Sequence, residues 1–431
     1  MPLYKESLYN FLVKIKEDTH LFFNGLTGAM LEVNNDEKEK IEAILKYPSC
    51  YGNNSIILKR LFEMGYLVNA SFDEVEQIRM LKKHESINHR ILDISISPTY
   101  SCNLRCVYCY VDFNNESFSD IDITNILQFI KANITQHKQI NITWFGGEPL
   151  LCKDTIETLT REIGVIRENY STNIYHFLTT NGYLLDIDTV KRLSNMGINY
   201  YHITIDGGKE SHDKLRVISN GTGTYDTIFN NITSALKELA SIYFTLRINV
   251  NSESAKNVNE LLFSIPSEYR KRIQLHITPI IVEGEVIKLS LFREINSLLK
   301  DAYKIGYRYY NHIIPTYKKA FCSADKLNNF QFGPNGRVYK CSPSGKPEVY
   351  VGAFNDQGVI EFNDNYHKWL NAKVFNNNCE SCRFLCFCYG GCRLNIVRSK
   401  HNVNCKREYE DIENLILNKY FALTGIPSNP F

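Results

Sequence analysis

Three cysteines in one short segment, Cys102, Cys106 and Cys109, carry the clearest chemistry in this chain. Three thiolates at this spacing can wrap one iron–sulfur cube from a single loop. A cube has four irons, so one iron is left without a protein ligand and is open to a small chelating ligand. A structural zinc site is the alternative, but it needs a fourth ligand, which the neighbouring sequence does not supply.

A second group of cysteines lies in the tail, where eight of the 13 cysteines fall between Cys322 and Cys405. Thirteen residues separate Cys322 from Gly336, Cys341 follows at G-x4-C, and a C-x2-C-x5-C-x3-C run comes next. That run consists of Cys379, Cys382, Cys388 and Cys392. In a chain expected in the reducing cytoplasm, such spacing indicates metal rather than disulfides. A zinc ribbon is the alternative for the tail. Cys50 and Cys152 stand alone and are expected to be core cysteines.

The middle of the chain must position the first cysteine group, and it alternates strand and helix patterns. The predicted strands are Ile91–Ser97, Ile140–Phe145, Ile174–Thr179, Tyr200–Ile205, Tyr243–Val250 and Ile273–Ile281. Such alternation predicts right-handed strand–helix units and a parallel α/β sheet or barrel. An antiparallel sheet with one wetted face is the alternative.

These strands are polar on one face and apolar on the other. Leu92, Ile94 and Ile96 alternate with Asp93 and Ser95, for example, because successive side chains of a strand point to opposite faces. The apolar face must meet the helices, so the polar face must line the interior. A closed eight-stranded barrel fills its interior with apolar side chains. A polar lumen from about six strands therefore predicts an open cavity for a charged ligand.

The cysteine triplet and four later motifs resemble the radical S-adenosylmethionine superfamily. Its signature is C-x3-C-x2-C with an aromatic residue, here Tyr108, before the last cysteine. The later matches end successive strand units: Gly146-Gly147-Glu148-Pro149, Thr180-Asn181-Gly182, Thr204-Ile205-Asp206-Gly207 and His212-Asp213-x-x-Arg216. The resemblance covers about residues 91–306 and implies a partial (β/α)6 TIM-like barrel.

The resemblance also implies a cofactor and the residues that bind it. The open iron of a [4Fe–4S] cluster would bind the amino and carboxylate groups of S-adenosylmethionine, and reductive cleavage would release a 5′-deoxyadenosyl radical. Arg216 would pair with the methionine carboxylate, as a guanidinium does. The implied cofactor-binding residues are Tyr108, Gly146, Gly147, Glu148, Asn181, Thr204, Asp206 and Arg216. No catalytic base is identified. His202 and His276 face the predicted lumen and are candidates for substrate contact, or ordinary hydrogen-bonding residues.

The tail resembles the seven-cysteine SPASM domain, which implies two auxiliary iron–sulfur clusters. Carried over, Cys322, Cys341 and Cys392 would hold the first, and Cys379, Cys382, Cys388 and Cys405 would hold the second. Residues 323–340 contain no cysteine for a fourth ligand of the first cluster. Either that cluster has an open iron, which could capture a substrate thiolate, or another residue such as Cys386 closes it. Otherwise Cys386 is a buried spare thiol.

The head is predicted to contain three strands followed by helices. Strand patterns start at Tyr9, Leu21 and Ala29, helical patterns span residues 36–46 and 55–64, and a charged helix spans residues 72–83. This order resembles the winged-helix precursor-recognition element of ribosomal-peptide maturases, which binds a leader peptide as an added strand. A structural cap on the barrel is the alternative. The predicted domains are residues 1–88 (recognition), 89–310 (barrel) and 311–431 (SPASM).

The predicted function is therefore modification of a ribosomally made precursor peptide by a radical, giving a thioether, another cross-link or an epimer. A flavodoxin or ferredoxin would supply the electron. The first alternative is a sulfatase-maturing enzyme, although such enzymes usually lack the head and carry an acidic residue where this chain has Ser342. The second is a catalytically inactive iron–sulfur carrier or adaptor.

Composition excludes several other classes. With 44% hydrophobic and 22% charged residues in 431, the chain is not disordered. Its 49 basic and 47 acidic residues give a net charge of +2, which does not favour a nucleic-acid partner. The sequence has neither a signal-peptide pattern nor an apolar run of about 18 residues, so a cytoplasmic protein without a membrane partner is expected.

Overall fold

The computed structural model describes residues 3–52, 55–111, 114–280, 287–308, 322–341, 349–398 and 411–424. These residues form two compact units. The first unit combines the head, up to Ser86, with the tail from Lys373. The second contains the described residues of 87–308 and 323–372. No helix in the described ranges has the length and apolar character needed to cross a membrane.

The described residues of the head form five strands and three helices. They are β1 (Tyr4–Glu6), β2 (Asn10–Lys16), β3 (Thr19–Asn24), β4 (Met30–Asn34), α1 (Asn35–Lys46), α2 (Ile56–Glu63), β5 (Leu67–Asn69) and α3 (Glu74–Ser86). β2, β3 and β4 form an antiparallel sheet in that order, and β1 pairs with β5. The three predicted strands, β2 to β4, and the three predicted helices are confirmed, whereas β1 and β5 were not predicted.

The second unit contains the alternating strands and helices. They are β6 (Ile91–Ile96), α4 (Asp120–Asn133), β7 (Gln139–Trp144), α5 (Lys153–Glu168), β8 (Asn173–Thr180), α6 (Ile187–Asn195), β9 (Ile198–Thr204), α7 (Lys209–Leu215), α8 (Tyr225–Glu238), β10 (Tyr243–Val250), α9 (Val258–Ser264), β11 (Ile273–Pro279), α10 (Leu289–Lys304), β12 (Asn329–Phe332), β13 (Arg337–Tyr339), β14 (Tyr350–Phe354), β15 (Ile360–Phe362) and α11 (Asp364–Asn371).

One ten-stranded sheet organises this unit, in the order β11-β10-β9-β8-β7-β6-β12-β13-β14-β15. Every pair from β11 to β12 is parallel, and the remaining pairs are antiparallel. The predicted parallel α/β fold is thus confirmed, and the antiparallel alternative is wrong. All six predicted strands are present; the last residue of the prediction, Ile281, lies outside the described ranges.

The alternation along the strands decides how the sheet is buried. Leu92, Ile94 and Ile96 are at most 1% exposed and join the core formed with the helices, whereas Asp93 and Ser95 are only half-buried. The same division holds along β9, β10 and β11 until the last residues of β10. The carboxyl ends of the parallel strands therefore present polar residues at one edge, where ligands of such sheets bind.

The tail contributes α12 (Leu385–Cys388), α13 (Arg393–Arg398) and α14 (Ile412–Thr424) to the first unit. One face of the head sheet, with Phe22 and Val33, packs against residues of α1 and α2. The other face, with Phe11 and Phe23, packs against α12 and α14. The head sheet is therefore covered on both faces. The predicted 311–431 segment is divided between the two units, and the predicted domain boundaries stay predictions.

Candidate functional site

The cysteine triplet lies on a loop that follows β6 at the carboxyl end of the parallel sheet. The backbone N–H of Arg105 donates to the carbonyl of Val217 (2.7 Å), and that of Val107 donates to the carbonyl of Leu215 (3.1 Å). Leu104 is fully buried and forms a bridge to Ile218. The loop is thus hydrogen-bonded to the residues on both sides of Arg216, which brings that arginine close to Cys106.

The three thiols form a donor set suited to a cluster. The backbone N–H of Leu104 lies 3.4 Å from the Cys102 sulfur, and Asn181 Nδ2 lies 3.7 Å from it. Hydrogen bonds to sulfur of this kind are typical of iron–sulfur sites. In the described ranges no three His, Cys, Asp or Glu side chains converge as around a single metal ion. A cube does not require such convergence, because each of its cysteines binds a different iron.

Burial and the surrounding polar groups have opposite effects on the pKa values of two of the thiols. Burial raises the pKa of Cys102 to about 11, and the hydrogen bonds to its sulfur act in the other direction. Burial also raises the pKa of Cys106, while the guanidinium of Arg216 lowers it. Thiolates are the ligands of such clusters, so a buried cation beside Cys106 stabilises the form that binds iron.

The glycines of the Gly-Gly-Glu-Pro motif pack against the chain that enters the cysteine loop. Gly146 has a φ of +125°, and a Cβ there would lie 2.3 Å from the Thr99 carbonyl oxygen. A Cβ on Gly147 would lie 2.2 Å from the Ser101 carbonyl oxygen. Only residues without a side chain fit here. In this structure the glycines therefore set the position of the loop; a direct contact with the cofactor stays a prediction.

Glu148 connects two of the predicted motifs. Its carboxylate is fully buried and accepts hydrogen bonds from Thr180 Oγ1 (2.7 Å), the Asn181 N–H (2.7 Å) and the Leu150 N–H (3.0 Å). Burial raises the pKa of Glu148, and these donors oppose the rise. Glu148 therefore holds the ends of β7 and β8 together, and Asn181 turns its amide toward Asn103 Oδ1 (2.8 Å).

A buried polar cluster joins the ends of β9 and β10 to the cysteine loop. The Tyr108 hydroxyl donates to the Asp206 carboxylate and accepts from Arg216 Nη1 (2.9 Å) and Asn249 Nδ2 (3.1 Å). Asp206 is fully buried and also accepts from the Asn249 N–H (2.8 Å). Burial raises the pKa of Asp206, and Arg216 opposes the rise. Three predicted residues, Tyr108, Asp206 and Arg216, are thus brought together.

Two residues of this region were not predicted as site residues. Asn249 belongs to the cluster, and its position on the polar face of β10 was the available signal. His212 accepts from the Asp206 N–H through Nδ1 (3.1 Å) and lies 3.0 Å from Thr224 Oγ1 through Nε2. His212 therefore positions the Asp206 backbone. Thr204, also predicted, is half-buried at the last residue of β9.

Buried atoms without a partner test whether S-adenosylmethionine fits. In the described ranges Arg216 Nε and Asn103 Nδ2 are buried and make no hydrogen bond. Buried donors are normally satisfied. Asn103 lies in the cysteine loop, and Arg216 donates to the Tyr108 hydroxyl of that loop. Both unpaired N–H donors are suited to an anionic or polar group of a ligand. The residues present therefore fit the implied cofactor.

His202 and His276 lie near each other on the polar face, with ring centroids 6.1 Å apart. Burial, with a smaller contribution from Arg247, lowers the pKa of His202 to about 4. His202 is therefore neutral at pH 7 and can donate or accept a hydrogen bond. A role in substrate contact stays a prediction.

The tail cysteines differ in exposure. Cys322 and Cys392 are exposed, Cys379, Cys382 and Cys388 are half-buried, and Cys386 is buried. Cys341 is half-buried and belongs to the second unit. Cys405, Ser342 and Pro343 lie outside the described ranges. The two ligand sets and the fourth-ligand role of Cys386 stay predictions.

Comparisons with known proteins find similarity to radical SAM proteins. A sequence model of the radical SAM superfamily matches residues 96–262. The cysteine-type anaerobic sulfatase-maturating enzyme of Clostridium novyi is 25% identical over 341 residues, 70% of this chain and 88% of that protein. The radical SAM cyclopropyl synthase TigE of Paramaledivibacter caminithermalis is 24% identical over 449 residues, 91% of this chain and 90% of that protein. The crystal structure of Streptococcus suis SuiB bound to precursor peptide SuiA superposes with a TM-score of 0.54 at 15% identity, over 92% of this chain and 97% of SuiB.

Proposed function

Because this protein is a radical SAM enzyme, we propose that it modifies a ribosomally made precursor peptide whose leader binds the head. The prediction of an enzyme is confirmed over that of an inactive carrier. The radical SAM domain implies a [4Fe–4S] cluster with S-adenosylmethionine. The two auxiliary clusters in the tail, the electron donor and the bond formed belong to the proposal.

The free edge of the head sheet is the observation that carries this proposal. The Asn24 N–H donates to the Ala29 carbonyl (3.0 Å), so the backbone N–H and C=O groups of residues 29, 31 and 33 point toward β3. The backbone groups of residues 30, 32 and 34 therefore point away from β3, toward the outer edge of the sheet. In the described ranges no strand pairs with that edge. A free edge is where an extended peptide adds as a strand.

The opposite edge of the same sheet is less open. The outward carbonyl of Asn10 in β2 already accepts a hydrogen bond from Arg383 Nη2 (2.9 Å). α14 also packs beside β2. The leader is therefore expected on β4. SuiB, whose structure is similar to this one, was crystallised with its precursor peptide, which supports a peptide substrate.

The residues of the barrel unit would divide the work as follows. When bound, the cluster and S-adenosylmethionine supply a 5′-deoxyadenosyl radical that removes hydrogen from an unactivated C–H bond. Cys102, Cys106 and Cys109 would hold the cluster. Arg216, with its free Nε, would bind the methionine carboxylate, and the buried Asp206 fixes Tyr108 and Asn249. His202 is neutral at pH 7 and therefore adds no charge to the polar face of the sheet.

A sulfatase-maturing activity is the second candidate, because the Clostridium novyi enzyme matches 70% of this chain. The match to that enzyme leaves 30% of this chain uncovered, whereas the match to TigE covers 91% of this chain. The unpaired β4 edge of the head sheet supports precursor modification over sulfatase maturation.

The test uses the anaerobically reconstituted full-length enzyme with S-adenosylmethionine, a reductant and synthetic peptides for whichever short reading frames flank the gene. We expect 5′-deoxyadenosine together with a mass change in one of the peptides. Conversion of a sulfatase-derived peptide, with the precursor left unchanged, would support the second candidate. Absence of 5′-deoxyadenosine from enzyme with a loaded and reduced cluster contradicts both.

A proline substitution tests the leader edge. Glu32→Pro removes an outward N–H of β4 without breaking the ladder to β3, and Lys14→Pro does the same on the edge of β2. We expect Glu32→Pro to weaken binding of the synthetic precursor at least tenfold, measured by fluorescence anisotropy, and Lys14→Pro to leave it unchanged. Glu32→Ala controls for loss of the hydrogen bond that the carboxylate accepts from the Tyr420 hydroxyl, because alanine removes the acceptor and keeps the backbone N–H. Equal affinities for all three variants would move the leader elsewhere.

A further inference from the structure

The imidazole of His212 lies between Asp206 and Arg216, the two charged residues of the buried polar cluster. His212 is 0% exposed, and its Nδ1 accepts the backbone N–H of Asp206 (3.1 Å). Its Nε2 lies 3.0 Å from Thr224 Oγ1, and the Thr224 hydroxyl in turn donates to the Arg216 carbonyl (2.8 Å). One imidazole and one hydroxyl therefore connect the backbones of the two charged residues.

The hydrogen bonds of this connection run in one direction. A backbone N–H can only donate, so His212 Nδ1 is the acceptor, and the neutral imidazole then carries its proton on Nε2. Nε2 donates to Thr224 Oγ1, whose own proton goes to the Arg216 carbonyl. Burial, with a smaller contribution from Arg216, lowers the pKa of His212 well below the ordinary 6.5. The imidazole is therefore neutral at pH 7, and both of its nitrogens have a partner.

The neighbouring backbone holds the same two residues from the other side. The Arg216 N–H donates to the His212 carbonyl (2.8 Å), so His212 is connected to both backbone polar groups of the arginine. The Asp213 carboxylate accepts the N–H groups of Thr224 (2.8 Å) and Tyr225 (2.9 Å). Thr224 is 1% exposed and is thereby fixed in place. The histidine and the threonine therefore determine where the Arg216 backbone lies.

The position of that backbone matters because the guanidinium has one donor left. Arg216 Nη1 already donates to the Tyr108 hydroxyl (2.9 Å). In the part of the chain that the structure describes, Arg216 Nε is buried and makes no hydrogen bond. A hydrogen bond weakens steeply when its donor is misaligned. A displaced Arg216 backbone would therefore turn Nε away from a bound carboxylate.

We propose that His212 and Thr224 are positioning residues that set the affinity for S-adenosylmethionine, because they hold the Arg216 backbone where Nε meets the methionine carboxylate. The inference rests on the role of Arg216 in the proposed function. It extends the His212-Asp213-x-x-Arg216 motif, of which only the arginine was expected to act on the cofactor. A histidine that merely filled the core would affect the stability of the fold without acting through the arginine.

The experiment measures binding of S-adenosylmethionine by equilibrium dialysis on the anaerobic, cluster-loaded full-length enzyme, beside an iron assay. Thr224→Val keeps the shape of the side chain and removes the hydroxyl. We expect it to weaken binding roughly fivefold at equal iron content, the factor that one hydrogen bond typically contributes. Thr224→Ser restores the hydroxyl and should bind like the wild type. The control is Thr233→Val, which removes a hydroxyl that donates to the Phe229 carbonyl (2.9 Å) farther along α8 and should leave binding unchanged.

A double substitution separates positioning from loosened packing. Arg216→Lys removes Nε, so Thr224→Val should cause no further loss of affinity when lysine is present. His212→Asn is a second variant, because its amide oxygen can accept the Asp206 N–H while its side chain is too short to reach Thr224. It should weaken binding as Thr224→Val does and have no effect beside Arg216→Lys.

Four results would overturn the inference. Wild-type affinity of both Thr224→Val and His212→Asn, with Arg216→Lys weakened, overturns it alone and leaves the role of Arg216 standing. An equal loss of affinity in the wild-type and Arg216→Lys backgrounds would assign the effect to loosened packing. Loss of iron from both variants would assign the two residues to folding of the cysteine loop. Full affinity of Arg216→Lys overturns the role of the arginine and this inference together, while a mass change in a precursor peptide remains a separate test of the proposed function.

Discussion

At the scale of single residues, the buried polar cluster is organised around one charge pair. Asp206 and Arg216 are almost fully removed from water, with side-chain exposures of 0% and 7% and an N–O distance of 4.0 Å. Such burial is tolerated only when the remaining donors and acceptors are used. Tyr108 and Asn249 use those of Asp206, and the free Nε of Arg216 is left for a ligand.

Arg216→Lys tests that assignment. Lysine keeps the charge but has neither the planar fork nor Nε, and one hydrogen bond to a charged group is worth about 1.5–3 kcal/mol. We expect the affinity for S-adenosylmethionine, measured by equilibrium dialysis on cluster-loaded enzyme, to fall at least tenfold. Arg161→Lys, on the exposed face of α5, is the control. An unchanged affinity at equal iron content would contradict the role of Arg216.

A buried histidine makes stability depend on pH. Burial lowers the pKa of His176 to about 4 in the folded chain, against the ordinary 6.5. The unfolded chain therefore binds a proton first as the pH falls below about 6.5, and folding loses stability. At pH 5 the loss is about 2 kcal/mol for this one residue.

Denaturant unfolding at pH 7 and pH 5 checks this expectation. His176→Gln should lose less stability between the two pH values than the wild type does. His84→Gln, at a side chain that is 73% exposed, should behave like the wild type. A wild-type-like pH dependence of the His176→Gln variant would show that this imidazole titrates normally in the folded protein.

At the scale of elements, the strand ends determine where the cysteines lie. The turn after β7 contacts the chain entering the cysteine loop through two glycines, and the Gly147 N–H donates to the Thr99 carbonyl at 3.0 Å. Glu148 then joins this turn to the end of β8. The loop is therefore positioned by neighbouring strands rather than by its own sequence.

Gly147→Ala tests the importance of this contact. The new methyl group would lie 2.2 Å and 2.5 Å from two backbone oxygens, which cannot rotate away. The variant is made in a chain whose tail cysteines are replaced by alanine, so that only the cysteine triplet binds iron. We expect Gly147→Ala to bind less iron per chain, while its circular dichroism spectrum shows that the strand–helix unit is still folded. Gly164→Ala in α5 meets nothing within 4 Å and should bind iron normally and be slightly more stable. Equal iron content in the two variants would contradict the role of the glycine.

At the scale of the whole molecule, each unit is built from distant parts of the sequence. The head sheet has one face covered by its own helices and the other by the tail. The sheet of the second unit continues beyond the six predicted strands into β12, which pairs in parallel with β6. Segments hundreds of residues apart therefore depend on each other for burial.

Hydrogen exchange tests the dependence within the first unit. Replacing Cys379, Cys382 and Cys388 with alanine removes the proposed second cluster, and metal binding is coupled to local folding. We expect faster exchange in β2 and α12, whose residues pack together, and unchanged exchange in β7 and β8 of the other unit. Unchanged exchange in β2 would show that the tail folds on the head without iron.

The sequence alone determined the repeating strands and helices and the nature of the site. A polar and apolar alternation is local, so it predicted β6 to β11 with their two faces, and the cysteine spacings are local too. Its motifs also predicted Tyr108, Asp206 and Arg216 as cofactor-binding residues, through the family that they resemble. The tertiary structure decided which of these groups meet: that Asn249 joins them and that Glu148 ties two strand ends. Such contacts join residues from 32 to 141 positions apart, and a periodicity read along one segment carries no information about them.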